Sequence, residues 1–286
     1  MAKRFFDIVI SAIALVLLAP VFLIAAIGIL LSTRGPVFFG SPRIGKNGKP
    51  FIMHKFRTMS VGNPPEASPI TGPQDARVFP WGSFLRRLKI DELPQFYDVL
   101  RGTMSLVGPR PEDPRIVQEF YTPADWETLR VLPGLTSPAS LYDYTHGDQI
   151  LAQGDPDQVY RDQLLPEKLA LEKVYVREAC LSYDLSIMLR TAVVILLIGL
   201  GKRQFSEPPE MSKARIILGQ KYPLEEKKCC WHCDPREVNN GRTSLAAKNG
   251  ATHSFLQSSV PRERRGLRKG SPRKRLADNG GQDSAV

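Results

Sequence analysis

The feature that most constrains this chain is a long uncharged, apolar stretch near its N-terminus, from Ile8 to Leu31. As a helix, these 24 residues would be about 36 Å long, enough to cross a bilayer core of about 30 Å. The stretch is too long for the apolar region of a secretory signal peptide, and no clear small-residue cleavage site follows it. The sequence therefore predicts a membrane segment at residues 1–34.

Pro20 lies at the centre of this segment and removes one backbone hydrogen bond, which favours a kink or a break. Lys3 and Arg4 precede the segment. The basic residues that follow it are Arg34, Arg43, Lys46, Lys49 and Lys55. Because basic flanks prefer the cytoplasmic side, a re-entrant pair of helices that returns to the same side is favoured over a full span, in which Pro20 would only kink the helix.

The charge of the chain is unevenly distributed. The 286 residues include 39 Lys and Arg against 29 Asp and Glu, a net charge of +10. Residues 1–110 carry a net charge of +8, residues 111–202 of −6 and residues 203–286 of +8. Such an excess is common in nucleic-acid binders, but the first 202 residues are nearly neutral and no motif for reading nucleic acid accompanies the basic end. An apolar fraction of 42% and four cysteines exclude a wholly disordered chain and a disulfide-stapled miniprotein.

Residues 203–286 have the composition of a solvated tail. About 30% of them are apolar, too few to offset the conformational entropy lost on ordering. The basic stretch from Arg262 to Arg275 could bind nucleic acid or anionic lipid, but a disordered end is the favoured interpretation. The Cys/His cluster from Cys229 to Cys233 lacks a second knuckle of the kind that completes a zinc site and is interpreted as incidental.

Residues 35–202 combine short strands with helices. Strands are predicted at 36–39, 51–57 and 103–107, with a hairpin turn at 46–49 where Asn-Gly accepts positive φ angles. Helices are predicted at 83–89, from 91 to a stop at Gly102, and at 113–121, 123–131, 164–180 and 184–200. Four prolines at 60–75 mark a loop. The last helix has an apolar run of only nine residues, 192–200. That run is too short to span a bilayer, so it is expected to lie on a membrane surface or pack in the core.

Two adjacent carboxylates, Asp91 and Glu92, are the first candidates for chemistry. They follow the cations Arg86, Arg87 and Lys89 at the predicted start of a helix. Helix N-termini attract anions and phosphates, and the same field is expected to keep Asp91 ionised. An ionised carboxylate could attack phosphorus or bind Mg²⁺. The alternative is structural, with Asp91 as the N-cap of the helix and Glu92 as a favourable neighbour of the helix dipole.

Three further cations are candidates for binding phosphate. Arg110 lies between Pro109 and Pro111, which restrict its backbone and could preset a guanidinium that grips phosphate with two hydrogen bonds. Lys55 and Arg57 are two residues apart and so face the same side of a predicted strand. The structural alternatives are a rigid turn with an exposed arginine and a solvated strand face.

Taken in this order after a basic-flanked apolar segment, the motifs resemble those of the bacterial monotopic phosphoglycosyl transferases, the polyprenyl-phosphate sugar-1-phosphate transferases. The matching blocks are Lys3–Asp7, Gly35–Phe39, Arg43–Gly45, Lys55–Met59, Asp91–Gln95, Met104–Pro111 and Pro133–Thr136. The resemblance covers about residues 3–200. Its most specific parts are the Asp-Glu-Leu-Pro-Gln and Ser-Leu-Val-Gly-Pro-Arg-Pro blocks.

The resemblance implies transfer of a sugar 1-phosphate from a UDP-sugar to undecaprenyl phosphate, with release of UMP. Such a reaction starts a lipid-linked glycan for exopolysaccharide, capsule, O-antigen or glycoprotein. Asp91 is then expected to be the nucleophile, with Mg²⁺ beside it, and Glu92 to support the metal site or proton handling. The residues expected to bind the phosphates by the same match are Lys55, Arg57, Arg86 and Arg110.

The resemblance also implies an α+β fold in a monotopic membrane protein. A re-entrant helix–break–helix (1–34) would carry a small cytoplasmic catalytic domain with interfacial helices (35–202), followed by the basic tail (203–286). The expected location is the cytoplasmic face of the bacterial inner membrane. The expected partners are the UDP-sugar, undecaprenyl phosphate, membrane lipid and downstream glycosyltransferases, with no nucleic acid.

The sequence departs from the family pattern in two places. Ala19 precedes Pro20 where members of the family often have serine, so Pro20 is the main cause of the predicted bend. The block Pro133–Ser140 lacks the glutamine that is common in the family, which bears on how the donor is recognised. The sequence does not name the sugar, and glucose, galactose and N-acetylated amino sugars stay open. A membrane-anchored scaffold without turnover is the alternative function, against which the intact Asp91–Glu92 dyad and Arg110 argue.

Overall fold

The computed structural model describes residues 2–62, 68–72 and 74–219. Its α-helices are α1 (Ala2–Leu17), α2 (Ala19–Ser32), α3 (Pro80–Arg87), α4 (Gln95–Arg101), α5 (Pro114–Phe120), α6 (Pro138–Tyr142), α7 (Asp148–Leu151), α8 (Pro156–Val159), α9 (Leu165–Glu178), α10 (Leu181–Gly199) and α11 (Met211–Gly219). Its strands are β1 (Phe38–Ile44), β2 (Pro50–Phe56), β3 (Ser105–Val107) and β4 (Gly134–Thr136). Segments of 3₁₀-helix lie at Lys46–Gly48, Ile90–Glu92 and Asp125–Arg130, and π-helical turns at Asp143–Gly147 and Tyr160–Leu164. The mixture of helices and small sheets confirms the predicted α+β composition.

The apolar N-terminal segment is broken into α1 and α2, which are bent by 59°. The break falls at Leu18, and Pro20 lies in the first turn of α2, where its missing N–H is tolerated. The predicted break is therefore confirmed. By length and composition the two helices are either one broken span or a re-entrant pair.

Polar side chains fasten the start of α1 to the globular body. The Lys3 ammonium lies 2.5 Å from a carboxylate oxygen of Asp184 in α10, and both residues are buried. Arg4 donates to two carbonyls near the end of α4, at 2.5 and 2.7 Å. Asp7 accepts hydrogen bonds from Ser105 in β3 (2.9 Å) and from the next backbone N–H (3.2 Å). Lys3 and Arg4 thus make folding contacts, a use that the argument from flanking charges did not foresee.

The end of α2 contacts the same body. Trp81 in α3 donates its indole N–H to the carbonyl of Ala25, at 3.4 Å. Beyond the helix, the guanidinium of Arg57 donates to the Thr33 hydroxyl at 2.5 Å and to the Pro36 carbonyl at 2.6 Å. Both ends of the bent pair are therefore attached to one globular unit.

An antiparallel hairpin of β1 and β2 follows, with Phe38 opposite Phe56 and Ile44 opposite Pro50. Asn47 and Gly48 form its turn with φ angles of 58° and 71°, as the sequence predicts. The first strand begins two residues later and ends further along than the predicted 36–39, because its pairing continues to the turn.

A second, parallel pair of strands lies at the centre of the body, with Ser105 opposite Gly134 and Val107 opposite Thr136. This pair packs between α4, α9 and α10, where Val99, Tyr175 and Ile187 are fully buried. The strand β4 was not predicted, since three residues give no alternating pattern.

The last described helix, α11, packs against α9 in a second apolar cluster that includes Leu171, Met211 and Ala214. The sequence prediction placed a disordered tail from residue 203 onward. The low apolar fraction averaged over residues 203–286 concealed the apolar residues of α11. The folded part of the chain therefore extends at least to Gly219. The rest of the predicted tail, 220–286, including the Cys/His cluster and the basic stretch, lies outside the described residues.

Helix α10 differs most from its prediction. It runs over 19 residues and is long and apolar enough to cross a membrane, whereas the sequence argument counted only the uninterrupted apolar run 192–200. The earlier half contains Asp184, which is paired with Lys3, and Arg190, which is paired with Glu210 at 2.6 Å. Because Asp184 and Arg190 are each paired, they make the helix less polar than two unpaired charges would, and the apolar part of α10 is longer than the run 192–200.

The buried ion pair between Lys3 and Asp184 generates a stability prediction. Lys3→Met should lower the melting temperature in detergent micelles on the order of 10 °C, because an unpaired buried carboxylate costs about 3–5 kcal/mol. The double variant Lys3→Met/Asp184→Leu should recover most of this loss, since an apolar replacement of both partners is close to neutral. Equal melting temperatures for the single and double variants would contradict the assigned pairing.

Candidate active site

Asp91 and Glu92 lie in the 3₁₀ turn Ile90–Glu92, between α3 and α4. Lys89 enters this turn with a left-handed backbone, φ 56°. Helix α4 begins only at Gln95, and the Asp91 side chain makes no capping hydrogen bond. The structural prediction that Asp91 caps a helix starting at residue 91 is therefore wrong. Pro94 and the short 3₁₀ turn before it place the start of α4 about one turn later than predicted, so the Asp91 carboxylate does not cap this helix.

The loop after β3 brings Arg110 to Glu92. Gly108 and Gly134 meet back to back, and a Cβ at either would collide with the backbone of the other strand's loop. Beyond this close approach, the Arg110 backbone N–H donates to Glu172 of α9 at 2.9 Å. The predicted rigid loop is thus held from both sides, with Arg110 directed inward rather than exposed.

Glu92 is surrounded by cations and a phenol. Arg110 donates to its two oxygens at 2.6 and 3.3 Å, Tyr144 donates at 2.9 Å and the Lys55 ammonium lies at 3.5 Å. Burial alone would raise the pKa of Glu92, but Arg110 and Lys55 outweigh it and hold that pKa well below its usual range. Glu92 is therefore a charged and fully engaged carboxylate.

Asp91 is buried, with 6% of its surface exposed, yet its Oδ1 has no hydrogen-bond partner among the described residues. Burial and the adjacent charge of Glu92 raise the pKa of Asp91, while Lys55, Lys89 and Arg86 oppose that rise. The expectation that a helix field keeps Asp91 ionised is corrected here, because no α-helix starts at this position. Its ionisation depends instead on the surrounding cations.

Lys55 belongs to the cluster as predicted. It lies in β2, and burial lowers its pKa to about 8 against the opposing charge of Glu92. Arg86 is near enough to lower the pKa of Asp91, but its Nε donates to the Thr58 hydroxyl at 2.9 Å. Arg86 therefore borders the cluster from α3.

Arg57 lies elsewhere. Its guanidinium is buried against Thr33 and Pro36 and stacks over Phe79, with 5.7 Å from its central carbon to the ring centroid. Its hydrogen bonds to Thr33 and Pro36 join the exit of α2 to the end of β2, and a weaker one reaches the Met59 carbonyl at 3.4 Å. In the structure, Arg57 therefore makes tertiary contacts with the segment that follows α2. Strand β2 ends at Phe56, and the next side chain, Arg57, turns toward that segment.

Two functional neighbours were missed by the sequence reasoning. Tyr144 projects from a π-helical turn, donates to Glu92, and has the Lys89 ammonium 4.0 Å from its ring centroid. Glu172 in α9 is buried and accepts the Arg110 N–H and the Ser137 hydroxyl (2.7 Å). Both lie far along the chain from the dyad, and neither belongs to a motif that sequence spacing reveals.

The donor set can be tested for a divalent cation. No group of three or more His, Cys, Asp or Glu side chains comes together in the described part of the chain. The unpaired oxygen of Asp91 fits Mg²⁺, which is commonly held by one or two carboxylates and completes its shell with water and substrate phosphates. Both oxygens of Glu92 are already engaged, so Asp91 is the stronger candidate of the two predicted ligands.

Chemically, the site is a free buried carboxylate in a ring of positive charge. Lys55, Lys89, Arg86 and Arg110 all act electrostatically on the dyad. Phosphoryl transfer depends on such charge neutralisation and on alignment of the reacting groups. The arrangement therefore fits a nucleophile that works on a bound phosphate.

Comparison with known proteins gives a consistent result. Residues 1–197 match the family described as bacterial sugar transferase. The chain is 34% identical over 203 residues to the UDP-N-acetylgalactosamine-undecaprenyl-phosphate N-acetylgalactosaminephosphotransferase of Aeromonas hydrophila, covering 70% of this chain and 45% of that protein.

Two further relatives are informative. The UDP-glucose:undecaprenyl-phosphate glucose-1-phosphate transferase of Escherichia coli (strain K12) is 34% identical over 191 residues, covering 66% of this chain and 39% of that protein. The exopolysaccharide production protein ExoY of Rhizobium meliloti (strain 1021) is 36% identical over 214 residues, covering 69% of this chain and 86% of that protein. The chain thus spans less than half the length of the Aeromonas and Escherichia proteins.

Glu172 generates a pH prediction. Burial raises its pKa to about 7, above an ordinary value of about 4.3. Between these two values the folded chain binds more protons than the unfolded chain, so stability should fall as the pH rises toward 7. Glu172→Gln should remove this component, worth about 3 kcal/mol by pH 8. Chemical denaturation of both proteins at pH 5 to 8 measures the difference.

Glu119→Gln, which changes an exposed carboxylate in α5, is the matched control. It should leave the pH dependence of the wild type in place. A Glu172→Gln variant with the same pH dependence as this control would contradict the burial of a titrating Glu172.

Proposed function

Because this chain belongs to the bacterial sugar transferase family, we propose that it transfers a sugar 1-phosphate from a UDP-sugar to undecaprenyl phosphate and releases UMP. The acceptor is the one printed in the names of the Aeromonas and Escherichia relatives. Their donors carry different sugars, so the sugar used by this chain is not assigned. The likeness to ExoY supports exopolysaccharide synthesis as the purpose.

The observation that carries the proposal is the different state of the two adjacent carboxylates. Glu92 is neutralised by Arg110, Tyr144 and Lys55, whereas the Oδ1 atom of Asp91 is buried without a partner among the described residues. Environments that separate two carboxylates in this way commonly separate their roles. Asp91 is the nucleophile, and Glu92 orders the cations around it.

In the first half-reaction, a carboxylate oxygen of Asp91 attacks the phosphorus that bears the sugar. A bond forms between this oxygen and phosphorus, and the bond from phosphorus to the UMP oxygen breaks. The electron pair of the broken bond leaves with UMP. The enzyme then carries the sugar phosphate as a covalent aspartyl intermediate.

In the second half-reaction, an oxygen of undecaprenyl phosphate attacks the same phosphorus. The bond from Asp91 to phosphorus breaks, and its electron pair restores the carboxylate. The product is a lipid diphosphate sugar, and neither water nor a redox partner is consumed. One site thereby serves a soluble donor and a lipid acceptor in turn.

The cations of the chain supply the remaining requirements. Arg110 is held by its backbone contact to Glu172 and by Glu92, so its guanidinium is in place before a phosphate arrives. Lys55 and Lys89 add positive charge beside Asp91. A Mg²⁺ ion held by Asp91, with Glu92 behind it, would supply further charge neutralisation when bound.

The membrane segment positions this site beside its lipid substrate. We propose that α1 and α2 form a re-entrant pair with both ends at the cytoplasmic face of the inner membrane. The contacts of Lys3 with Asp184 and of Arg57 with Thr33 support this, because they attach both ends to one body. Helix α10 would lie along the membrane surface, with its two charged residues paired on the body side.

Asp91→Asn should lower UMP release by a factor on the order of 10³ or more, since the amide cannot act as the nucleophile. The assay uses detergent-solubilised protein with Mg²⁺, undecaprenyl phosphate and a panel of UDP-sugars. Asp148→Asn changes an exposed aspartate and should retain wild-type rates. Failure of the wild type to release UMP with any common donor would reject the proposed reaction, and substantial activity of Asp91→Asn would reject the nucleophile.

The topology is tested by cysteine labelling in intact membrane vesicles. In a background without native cysteines, Ala2→Cys and Lys49→Cys place one exposed thiol on each flank of the bent pair. A re-entrant pair predicts that an impermeant maleimide labels both from the cytoplasmic side only. Labelling of the two positions from opposite sides would show a full span.

A further inference from the structure

A cleft of about 210 Å³ begins beside the dyad. Glu92, Tyr144 and Lys89 form one end of it. The remaining walls come from the start of α4, from β3 and β4, and from one face of α10. The cleft is thus continuous with the candidate active site. Most of its wall residues lie away from the dyad and are not among those proposed to bind the phosphates of a sugar nucleotide.

The two ends of the cleft differ chemically. At the dyad end, the Lys89 ammonium lies over the Tyr144 ring and the Tyr144 hydroxyl donates to Glu92. Away from it, the walls are mainly apolar, with Phe96, Leu135 and Ile195 among them, and the hydroxyls of the two lining threonines, Thr136 and Thr191, hydrogen-bond to each other at 2.6 Å. A ligand that matches both ends has an anionic head and a hydrocarbon chain. An apolar cavity of about 150 Å³ already binds benzene, so this volume suffices for the proximal part of such a chain.

The wall supplied by α10 connects the cleft with the lipid-facing surface. Met188, Ala192 and Ile195 line the cleft, whereas Leu189, Val193 and Leu196 on the same helix are exposed, at 68%, 46% and 63%. Ala192 is itself exposed, so the cleft is not closed on that side. A hydrocarbon chain could therefore pass from the exposed apolar side chains of α10 into the cleft beside Ala192.

We infer that this cleft receives the first isoprene units of the polyprenyl phosphate acceptor, with the phosphate directed toward Lys89 and the dyad. The inference rests on the proposed function and adds the place at which the lipid enters. A small residue, Ala192, stands at the mouth of the cleft, where a larger side chain would fill the path. The choice of an isoprenoid phosphate as the occupant comes from the proposed reaction, and binding of an anionic phospholipid is the competing outcome of the test.

The test blocks the mouth of the cleft and measures the two half-reactions separately. Ala192→Phe introduces a ring into the cleft, and Val193→Phe introduces the same ring one residue away on the exposed face. With undecaprenyl phosphate present, Ala192→Phe should raise the acceptor KM at least tenfold relative to Val193→Phe. A burst of UMP from the donor alone reports the first half-reaction. No burst from the wild type would reject the proposed function itself, whereas a normal burst with equal acceptor KM values would overturn only the cleft assignment.

A binding measurement provides a readout independent of turnover. Wild-type protein in nanodiscs is irradiated with a diazirine-bearing farnesyl phosphate, and the labelled peptides are identified. Label should fall on the stretch of α10 around Met188 and Ile195 and be displaced by undecaprenyl phosphate. Label elsewhere, or equal displacement by phosphatidic acid, would overturn the assignment.

Discussion

The contact on which the rest of the site depends is the buried two-point ion pair between Arg110 and Glu92, at 2.6 and 3.3 Å. It joins the 3₁₀ turn of the dyad to the loop that follows β3. Arg110, Tyr144 and Lys55 all contact Glu92, whereas the Oδ1 atom of the neighbouring Asp91 has no hydrogen-bond partner within the part of the chain that the structure describes. Two adjacent carboxylates of similar intrinsic acidity thereby have different surroundings, and the roles that we propose for them rest on this difference. The pair also fixes the guanidinium before substrate binds, so less reorganisation is needed when charge develops on phosphorus.

The attachment of the two N-terminal helices to the rest of the protein also depends on buried polar contacts. The apolar helices α1 and α2 have little polar surface, but each is fastened to the body by a few buried polar groups, such as Lys3, Asp7 and Arg57. Asp7 bonds to β3, the strand that leads directly into the Arg110 loop. The N-terminal helices and the candidate site thus contact one strand, and in our proposal this contact sets the position of the reacting phosphate relative to the lipid surface.

Much of this could be predicted from local sequence chemistry. The turn at Asn47, the helix stop at Gly102 and the break near Pro20 follow from backbone preferences that act over a few residues. Lys55 and Arg110, which lie beside Glu92, could also be singled out because their motifs are contiguous, and their binding of phosphate stays a prediction. Such features require no knowledge of which segments meet in space.

The remainder depends on tertiary contacts that leave no local pattern. Tyr144 reaches Glu92 from a π-helical turn, and Gly134 of β4 packs against Gly108 too closely for either to carry a Cβ. The contacts of Arg57 with Thr33 and Pro36 were not foreseen, since the strand that would have aligned it with Lys55 ends one residue earlier. The state of Asp91 was misjudged because a helix was expected where a 3₁₀ turn and Pro94 delay it.

The most direct measurement of the central claim is the intact mass of the protein after mixing with its UDP-sugar in the absence of acceptor, followed by peptide mapping of the adduct. A free Asp91 beside an engaged Glu92 predicts an increase of one sugar phosphate, located on Asp91 and lost when undecaprenyl phosphate is added. An adduct on Glu92, or UMP release that requires the acceptor and leaves the protein mass unchanged, would contradict that division of roles.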